Sequence, residues 1–310
     1  MHEEYETVVI NALGPQKPVA REPGRATDLA NHRSHAPPQR RTDLQPLNQL
    51  DPSIAGRIDT VLCDIDDTVT TEGMLTARAY QAMEDLDCAG IRIIPITGRP
   101  AGWCDHIARM WPVFAVVGEN GAFYMRYERT HRKMIQHFWT DEQTRQKNRQ
   151  ALSRLAQTIL EQVPGCALAS DQPYRIADLA IDFCEDVPPL DESAIDRIVQ
   201  LFKTAGAQAK VSSIHVNGWF GQYDKLTMTR TLIERELPEY EQDIEQRALF
   251  IGDSANDAPM FGHFDISVGV ANVVEQIHRI ATPPKFVCHR HSGDGFVEMA
   301  NYLLQARTQG

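Results

Sequence analysis

The sequence predicts an α/β protein in which a doubly wound parallel sheet is interrupted by an inserted α+β domain. Before residue 126 and after residue 219, short and almost continuous apolar runs alternate with helical segments. Such runs are typical of parallel strands that helices cover on both faces. In residues 126–219, between these two parts, the predicted helices and strands do not alternate one by one. A chain of 310 residues suffices for two domains of about 150 residues each.

The composition argues against two classes of function. No stretch approaches the ~18 consecutive apolar residues that a membrane-spanning helix needs, and the acidic start of the chain lacks the features of a secretory signal. A net charge of −11 argues against a nucleic-acid-binding protein, which normally has a basic surface. The six cysteines form no CxxC pair. We therefore expect reduced core thiols and a cytoplasmic protein without membrane or nucleic-acid partners.

Residues 1–57 are predicted to form a flexible N-terminal extension. Residues 14–57 contain seven Lys or Arg against four Asp or Glu, seven of the eighteen prolines and no aromatic residue. Such a segment buries too little apolar surface to offset the entropy that it loses on ordering. A basic arm that docks on a partner protein is the alternative to a solvated tail.

The first part of the sheet domain is predicted to cover residues 58–125. Its elements are a strand at Ile58–Cys63, a helix at Thr76–Cys88, a strand at Ile91–Ile96, a helix through Trp103 and Ile107, and a strand at Val113–Val117. Thr76 is a suitable cap for the first helix and Gly90 closes it.

The inserted domain, residues 126–219, is predicted to have the order αββαββ, with two helices packed on one face of a small sheet. Its elements are a helix at Asp141–Val163, strands at Cys166–Ala169 and Arg175–Cys184, a helix at Asp191–Ala205, and strands at Gln208–Val211 and Ser213–Asn217.

The sheet domain resumes over residues 220–310. Its predicted elements are a helix from Asp224 through Ile233, strands at Ala248–Ile251 and Ile266–Val270, a helix at Asn272–Ile280 and a terminal helix near Phe296–Leu304.

Carboxylates follow two of the predicted strands. Asp64 and Asp66 follow the first strand, and Asp253 and Asp257 follow the strand at Ala248–Ile251. Ligands of parallel sheets bind at the carboxyl ends of the strands, and clustered carboxylates need a hard cation such as Mg²⁺ to offset their repulsion. A metal with basic residues nearby suits phosphoryl chemistry, in which a carboxylate can act as nucleophile.

Four motifs stand in this order along the chain: Asp64-Ile65-Asp66-Asp67-Thr68, Thr97-Gly98-Arg99, Lys225 and Gly252-Asp253-Ser254-Ala255-Asn256-Asp257. Together they resemble the motifs of the haloacid dehalogenase-like phosphohydrolases. The inserted αββαββ domain resembles the caps of subclass IIB, which includes Cof-type phosphatases, sucrose- and trehalose-phosphate phosphatases and phosphomannomutases. The resemblance covers about residues 58–310 and leaves the extension unexplained.

The resemblance implies a role for each matching residue. Asp64 would be the nucleophile that forms an aspartyl-phosphate. Asp66 would protonate the leaving alcohol and then activate water, and its backbone carbonyl would ligate Mg²⁺. Thr97 would bind the phosphoryl oxygens together with the neighbouring Gly98. Lys225 would neutralise the nucleophile and the phosphate.

The last motif would complete the metal site. Asp253 would be the principal acidic Mg²⁺ ligand beside Asp64, and Asn256 and Asp257 would complete or orient the site. Asp67 departs from the family pattern, where Gly is common. We expect Asp67 to cap the following turn.

The substrate-binding residues are less defined by the sequence. Arg99 can bind phosphate or pair with a surface acid, and Asn120 can reach the substrate or form an ordinary Asn-Gly turn. In the cap, Arg175 and His215, with Asp182 and Asn217, alternate with apolar residues. They can face either the cleft or the solvent.

The expected activity is Mg²⁺-dependent hydrolysis of a small phosphate monoester, such as a sugar phosphate or phosphorylated glycoside. The carboxylate at Asp66 favours a phosphatase or phosphomutase over an ATP-driven ion pump by the same resemblance. A phosphomutase with the same residues is the nearest alternative. A regulatory protein that acts through its N-terminal arm is a more distant one.

Overall fold

A computed structural model describes residues 44–212, 214–238 and 243–309. In this part of the chain the strands are β1 (Gln45–Pro46), β2 (Thr60–Cys63), β3 (Arg92–Pro95), β4 (Val116–Gly118), β5 (Phe123–Glu128), β6 (Lys133–Phe138), β7 (Ala167–Leu168), β8 (Leu179–Asp182), β9 (Gln208–Val211), β10 (His215–Trp219), β11 (Ala248–Gly252), β12 (Ile266–Gly269) and β13 (Phe286–Val287). The helices are α1 (Pro52–Ala55), α2 (Ala77–Cys88), α3 (Ala101–Met110), α4 (Glu142–Gln162), α5 (Glu192–Thr204), α6 (Lys225–Glu236), α7 (Ile244–Arg247), α8 (Ala258–His263), α9 (Val273–Gln276) and α10 (Ser292–Gln309).

The central sheet is parallel and has helices on both faces, which confirms the predicted fold class. Its strand order is β1-β13-β12-β11-β2-β3. Successive residues of β2 point to opposite sides, so Val61 packs in the core beside α2 and α10, whereas Leu62 packs in the core beside α6 and α8. From β2 the chain continues to β3 on one side, and from β11 to β12 on the other. A ligand crevice is therefore expected between the ends of β2 and β11.

The predicted cap is confirmed as an αββαββ unit. Its antiparallel sheet has the order β7-β8-β10-β9, and α4 and α5 share an apolar core with one face of that sheet. Ile181 and Val216 point into this core. Because side chains alternate along a strand, Asp182, His215 and Asn217 lie on the opposite face of the sheet.

Residues 44–57 correct the prediction that the first 57 residues form a flexible extension. β1 pairs with β13 at the edge of the central sheet, and α1 begins at Asp51, whose side chain accepts the Ser53 N–H at 2.8 Å. Leu47, Leu50 and Ala55 are buried in the core beside α10. These three apolar side chains offset the ordering entropy of a short segment, although its composition is polar and proline-rich. Residues 1–43 lie outside the described residues, and their predicted flexibility stays a prediction.

The hairpin of β5 and β6 moves the boundary of the cap. The prediction placed the start of the cap at residue 126, which falls inside β5. The hairpin instead packs on the sheet domain, where Tyr124 and Phe123 lie in two of the hydrophobic cores. Phe138 packs against Phe123, with 5.7 Å between the ring centroids. The cap is therefore better taken to begin after residue 138.

Smaller differences concern the last elements. The helix predicted at Asn272–Ile280 is the single turn α9 followed by a 3₁₀ turn, and the terminal helix is longer than predicted. The six cysteines are all free, as expected, although Cys88 is exposed, while Cys166 and Cys184 are only partly buried. None of the helices in the described ranges is long and apolar enough to cross a membrane.

Candidate active site

Two aspartates stand at the ends of the two central strands. Asp64 follows β2 and Asp253 follows β11, and the parallel register of these strands places both at the crevice. The Asp64 N–H donates to the carbonyl of Ile251 at 3.0 Å, so the nucleophile candidate extends the strand pairing by one residue. Both residues are buried: 5% of the surface of Asp64 and 4% of the surface of Asp253 is exposed.

Lys225 reaches the same crevice from the first turn of α6. Its Nζ donates to Asp64 Oδ1 at 2.6 Å and to Asp257 Oδ1 at 2.8 Å, and Asn256 Oδ1 lies 3.4 Å away. Lys225 is itself buried. The neighbouring carboxylates hold its pKa above the usual range against the opposing effect of burial, so the side chain is an ammonium. The structure thus brings together four residues that the sequence placed in three separate motifs.

Asp257 is held from both sides. Its Oδ2 accepts the N–H groups of Asp253 at 3.1 Å and Ser254 at 3.2 Å, and its Oδ1 accepts from Lys225. A Cβ at Gly252 would lie 2.6 Å from Asp257 Oδ2, so only glycine leaves room for this carboxylate. Asp257 therefore orients Lys225 and the β11 turn, and it is a weaker candidate for direct metal binding than Asp64 or Asp253.

The acidic cluster fits a hard divalent cation. One carboxylate oxygen from each of Asp64, Asp253 and Asp257 lies within 4.8 Å of the other two, and all three residues are buried. Burial and mutual repulsion raise the pKa of Asp253 well above its usual value, and burial raises that of Asp64 despite the nearby Lys225. One ammonium does not offset three buried carboxylates. An all-oxygen donor set with excess negative charge matches the preference of Mg²⁺.

Asn272 belongs to this site, and the sequence analysis missed it. Its Nδ2 donates to the carbonyl of Asp67 at 3.0 Å and lies 3.4 Å from Asp253 Oδ2. It thereby connects the turn after β2 to the turn after β11. Asp67 has φ of +56°, in the left-handed region that favours glycine, and glycine is the residue common at this position in the family that the motifs resemble. Because Asn272 follows β12, the strand-end rule applied to Asp64 and Asp253 would have identified it.

Asp66, the proposed acid and base, is bound by Arg99. Nε of Arg99 donates to Asp66 Oδ1 at 3.0 Å and Oδ2 at 3.1 Å, and Nη2 donates to Oδ1 at 2.9 Å. Arg99 also stacks on Trp103, with its guanidinium carbon 4.5 Å from the ring centroid. Of the two predicted roles of Arg99, pairing with an acid describes the structure, and that acid is the catalytic candidate itself.

Two of the three motif residues in the turn after β3 line the site, and the third does not. Gly98 and Arg99 line the cavity beneath the cap. Thr97 is fully buried behind them, and its Oγ1 accepts the Arg99 N–H at 3.0 Å. Thr97 thus shapes the turn in this conformation, and its contact with phosphate stays a prediction.

Asn120 faces the cavity from the core. It is 4% exposed, and its Nδ2 has no hydrogen-bond partner among the described residues. Its φ of +56° is in the left-handed region, and Glu119 before it has φ of +44°. A buried unpaired donor is costly unless a ligand or water satisfies it. This observation favours the substrate-contact interpretation of Asn120 over that of an ordinary turn.

The four cap residues left open by the sequence are all buried. His215 and Asn217 line the cavity from β10. Arg175 also lines it, but most of its donors are used: Nε and Nη2 donate to Asp171, and Nη1 donates to Asp178 and to the carbonyl of Gly98. The prediction that Arg175 binds substrate is therefore not supported by its contacts. Arg175 instead connects the cap to the turn after β3.

Glu119 is a second connection that the sequence did not reveal. Its Oε1 accepts the N–H groups of Ala101 at 3.0 Å and Ile176 at 2.8 Å, and Oε2 accepts those of Ala177 at 2.6 Å and Asp178 at 3.1 Å. Burial and the nearby Asp178 raise its pKa to about 7, against the lowering effect of Arg175 and the backbone donors. Its position in an ordinary-looking Gly-Glu-Asn-Gly turn gave no signal of this role.

Comparison with known proteins agrees with this architecture. The sequence profile of the haloacid dehalogenase-like hydrolases matches residues 235–299, the last part of the sheet domain. Among curated protein sequences, none matches the chain significantly.

Several solved structures have the same fold. A Thermoplasma acidophilum protein is 17% identical with a TM-score of 0.61, and the match covers 80% of this chain and 98% of that one. The sucrose-phosphatase from Synechocystis, solved with sucrose and phosphate, is 16% identical with a TM-score of 0.55, covering 79% and 97%. A trehalose-6-phosphate phosphatase related protein is 14% identical with a TM-score of 0.53, covering 81% and 98%. At these identities the likeness establishes the fold.

Proposed function

Because residues 235–299 match the profile of the haloacid dehalogenase-like hydrolases, we propose that this chain is a Mg²⁺-dependent phosphatase that hydrolyses a small phosphate monoester through an aspartyl-phosphate. One observation carries the proposal. Lys225 Nζ lies 2.6 Å from Asp64 Oδ1, and Asp64 lines, together with Asp66, a cavity that the cap covers. A nucleophile candidate and a second carboxylate thus line one small cavity, and a fixed cation is bonded to the first of them.

The proposed mechanism gives each of these groups a role. Asp64 attacks the phosphorus, and the bond between phosphorus and the alcohol oxygen breaks. Asp66 gives its proton to that oxygen, so the alcohol leaves neutral. Asp66 then accepts a proton from the water that attacks the aspartyl-phosphate, which releases inorganic phosphate and restores Asp64. Lys225 neutralises the charge on Asp64 and on the phosphoryl oxygens.

Asp64, Asp253 and the backbone carbonyl of Asp66 would hold the metal, with Asp257 orienting Lys225 beside it. When bound, Mg²⁺ supplies positive charge that offsets the acidic cluster and the phosphoryl oxygens. Asn272 keeps Asp253 facing this position, since its amide lies 3.4 Å from Asp253 Oδ2.

The cap side of the cavity would bind the alcohol part of the substrate. Asn120 from the core and His215 from the cap present polar atoms there, with Asn217 beside them. Such groups suit hydroxyl oxygens better than an apolar chain. A sugar phosphate or phosphorylated glycoside is therefore the substrate class that we propose. The structural neighbours named as sucrose-phosphatase and trehalose-6-phosphate phosphatase related protein support the same class.

The test is release of inorganic phosphate from a panel of esters with Mg²⁺. The panel contains p-nitrophenyl phosphate, glucose 1-phosphate, glucose 6-phosphate, sucrose 6-phosphate and trehalose 6-phosphate. We expect hydrolysis of at least one sugar phosphate and a loss of about 10³-fold or more in Asp64→Asn, as nucleophile removal causes in other enzymes. Asp265→Asn, at an exposed aspartate paired with Lys285, is the matched control and should keep full activity.

Two results would contradict the proposal. Full activity of Asp64→Asn would exclude Asp64 as the nucleophile. Conversion of glucose 1-phosphate into glucose 6-phosphate without free phosphate would identify a phosphomutase instead.

A further inference from the structure

Glu185 is the cap residue that reaches the acid-base pair of the core. It lies just after β8, and its Oε1 is 3.4 Å from both Nη1 and Nη2 of Arg99. Its Oε2 lies 2.8 Å from Nε2 of His215. The His215 ring and Arg99 hold the pKa of Glu185 below its usual range, so the side chain is a carboxylate at neutral pH. None of the four motifs contains this residue.

The loop that carries Glu185 is fixed by a buried carboxylate. Asp182, 1% exposed, accepts the N–H groups of Cys184 at 2.9 Å, Glu185 at 2.8 Å and Asp186 at 2.8 Å. Three donors on one carboxylate leave the loop little freedom. The backbone of Glu185 is therefore fixed to the cap by these bonds.

Arg99 connects this loop to Asp66. The guanidinium is planar and its donors have a fixed fork geometry. Its Nε–Nη2 edge binds Asp66, Nη1 faces Glu185, and one face lies on Trp103. Because the guanidinium is rigid, the contact of Nη1 with Glu185 determines how the Nε–Nη2 edge is oriented toward Asp66. Asp171, a further cap residue, adds a carboxylate 3.7 Å from Nη1.

We propose that Glu185 is a positioning residue that orients Asp66 through Arg99 when the cap is closed on the core. Proton transfer to the leaving group is then efficient only with the cap closed, when bulk water is kept from the aspartyl-phosphate. The proposal rests on the proposed function, since Asp66 has a proton to deliver only if the chain cleaves a phosphate ester.

A different result is expected if Glu185 only holds the cap closed on the core. A second pair, Arg279 with Glu192, also joins core to cap, and both side chains are exposed. If Glu185 only held the cap shut, its removal would slow every substrate alike and Glu192→Gln would act in the same way. If it positions Asp66, the loss depends on how much the leaving group needs a proton.

The experiment compares kcat/KM for two esters in four proteins. The esters are the best hydrolysed sugar phosphate of the panel, whose alkoxide needs a proton, and p-nitrophenyl phosphate, whose phenolate does not. The proteins are the unmodified chain, Glu185→Gln, Glu185→Ala and the control Glu192→Gln. The ratio kcat/KM reports the steps up to departure of the alcohol, so slow release of phosphate does not mask the effect.

We expect Glu185→Ala to lower kcat/KM about 10-fold or more for the sugar phosphate and no more than about 2-fold for p-nitrophenyl phosphate, as part of the 10²–10⁴-fold that general acid catalysis provides. Glu185→Gln keeps an oxygen acceptor for Arg99 and should fall between. Equal losses for both esters, or no loss in Glu185→Ala, would overturn the proposal. If the unmodified chain releases phosphate from neither ester, the proposed function is wrong and this proposal is wrong with it.

Discussion

The ammonium of Lys225 lies 2.8 Å from Asp257 Oδ1, and the second oxygen of Asp257 already accepts two backbone N–H groups. Asp257 is therefore the fixed support of the lysine, whereas Asp64 is the partner that the proposed mechanism releases for chemistry. In that mechanism the pairing explains how a buried lysine can stand beside the proposed nucleophile without neutralising it permanently.

Asp257→Asn should cost both stability and activity. The amide NH₂ would face either the ammonium or the backbone donors, and one partner of a fully buried ion pair would be removed. We expect the free energy of unfolding to fall by about 3 kcal/mol and kcat/KM to fall with it. Urea unfolding followed by tryptophan fluorescence measures the first quantity. Asp265→Asn, at the exposed pair with Lys285, should change it by less than about 1 kcal/mol. Equal effects of the two variants would contradict the support role.

Mg²⁺ should stabilise the protein more strongly at pH 8 than at pH 6. Burial raises the pKa of Asp64 and Asp253, so at lower pH the metal must displace protons from its ligands. We expect the rise in Tm on adding Mg²⁺ to grow with pH, to be reversed by EDTA and to disappear in Asp253→Asn. An equal rise at both pH values would show that the ligands are already ionised at pH 6.

Glu119 should make stability depend on pH near neutrality. Its pKa is about 7 in the folded chain against a reference of 4.5, so between these values the folded state binds more protons than the unfolded state. The free energy of unfolding that Glu119 contributes is therefore highest below pH 4.5 and falls as the pH rises through 7.

The measurement compares the unmodified chain with Glu119→Gln, which cannot ionise. The difference in their free energies of unfolding should fall by on the order of 2 kcal/mol between pH 5 and pH 8, since one pKa unit corresponds to about 1.4 kcal/mol. A difference that rises with pH would mean that the four backbone donors outweigh burial and the neighbouring Asp178.

The sequence was sufficient for the strand-end residues because their positions follow from local patterns. An apolar run followed by Asp64 or Asp253 is visible in the chain, and a parallel sheet necessarily collects such ends at one edge. The αββαββ order of the cap was visible in the same way, from alternating helical and strand periods. Asn272 follows by the same rule after β12.

Contacts across the cap and core could not be predicted in this way. Glu185 contacts Arg99, and Glu119 contacts the backbone of residues 176–178, only because the cap packs on the core in one orientation. Nothing local to either segment encodes that orientation. Arg175 is a different case, because Asp171 and Asp178, which bind most of its donors, are near it in the chain, and only its bond to the carbonyl of Gly98 crosses from cap to core.

Leu50 offers a direct test of the corrected N-terminal boundary. It is 2% exposed and packs in the core beside α10 with Leu47 and Ala55, although the surrounding sequence is polar and proline-rich. A flexible extension would tolerate its truncation. In the structure, Leu50→Ala leaves a cavity beneath α10, and we expect the free energy of unfolding to fall by about 2–4 kcal/mol.

Leu168→Ala is the matched control, because Leu168 lies in β7 with 41% of its surface exposed. Its removal should cost less than about 1 kcal/mol, as substitutions on exposed surface usually do. Urea unfolding of both variants under the same conditions distinguishes the two descriptions of residues 44–57. If both variants lose similarly little free energy of unfolding, residues 44–57 belong to a flexible extension after all. If only Leu50→Ala loses stability, the folded chain begins before β2.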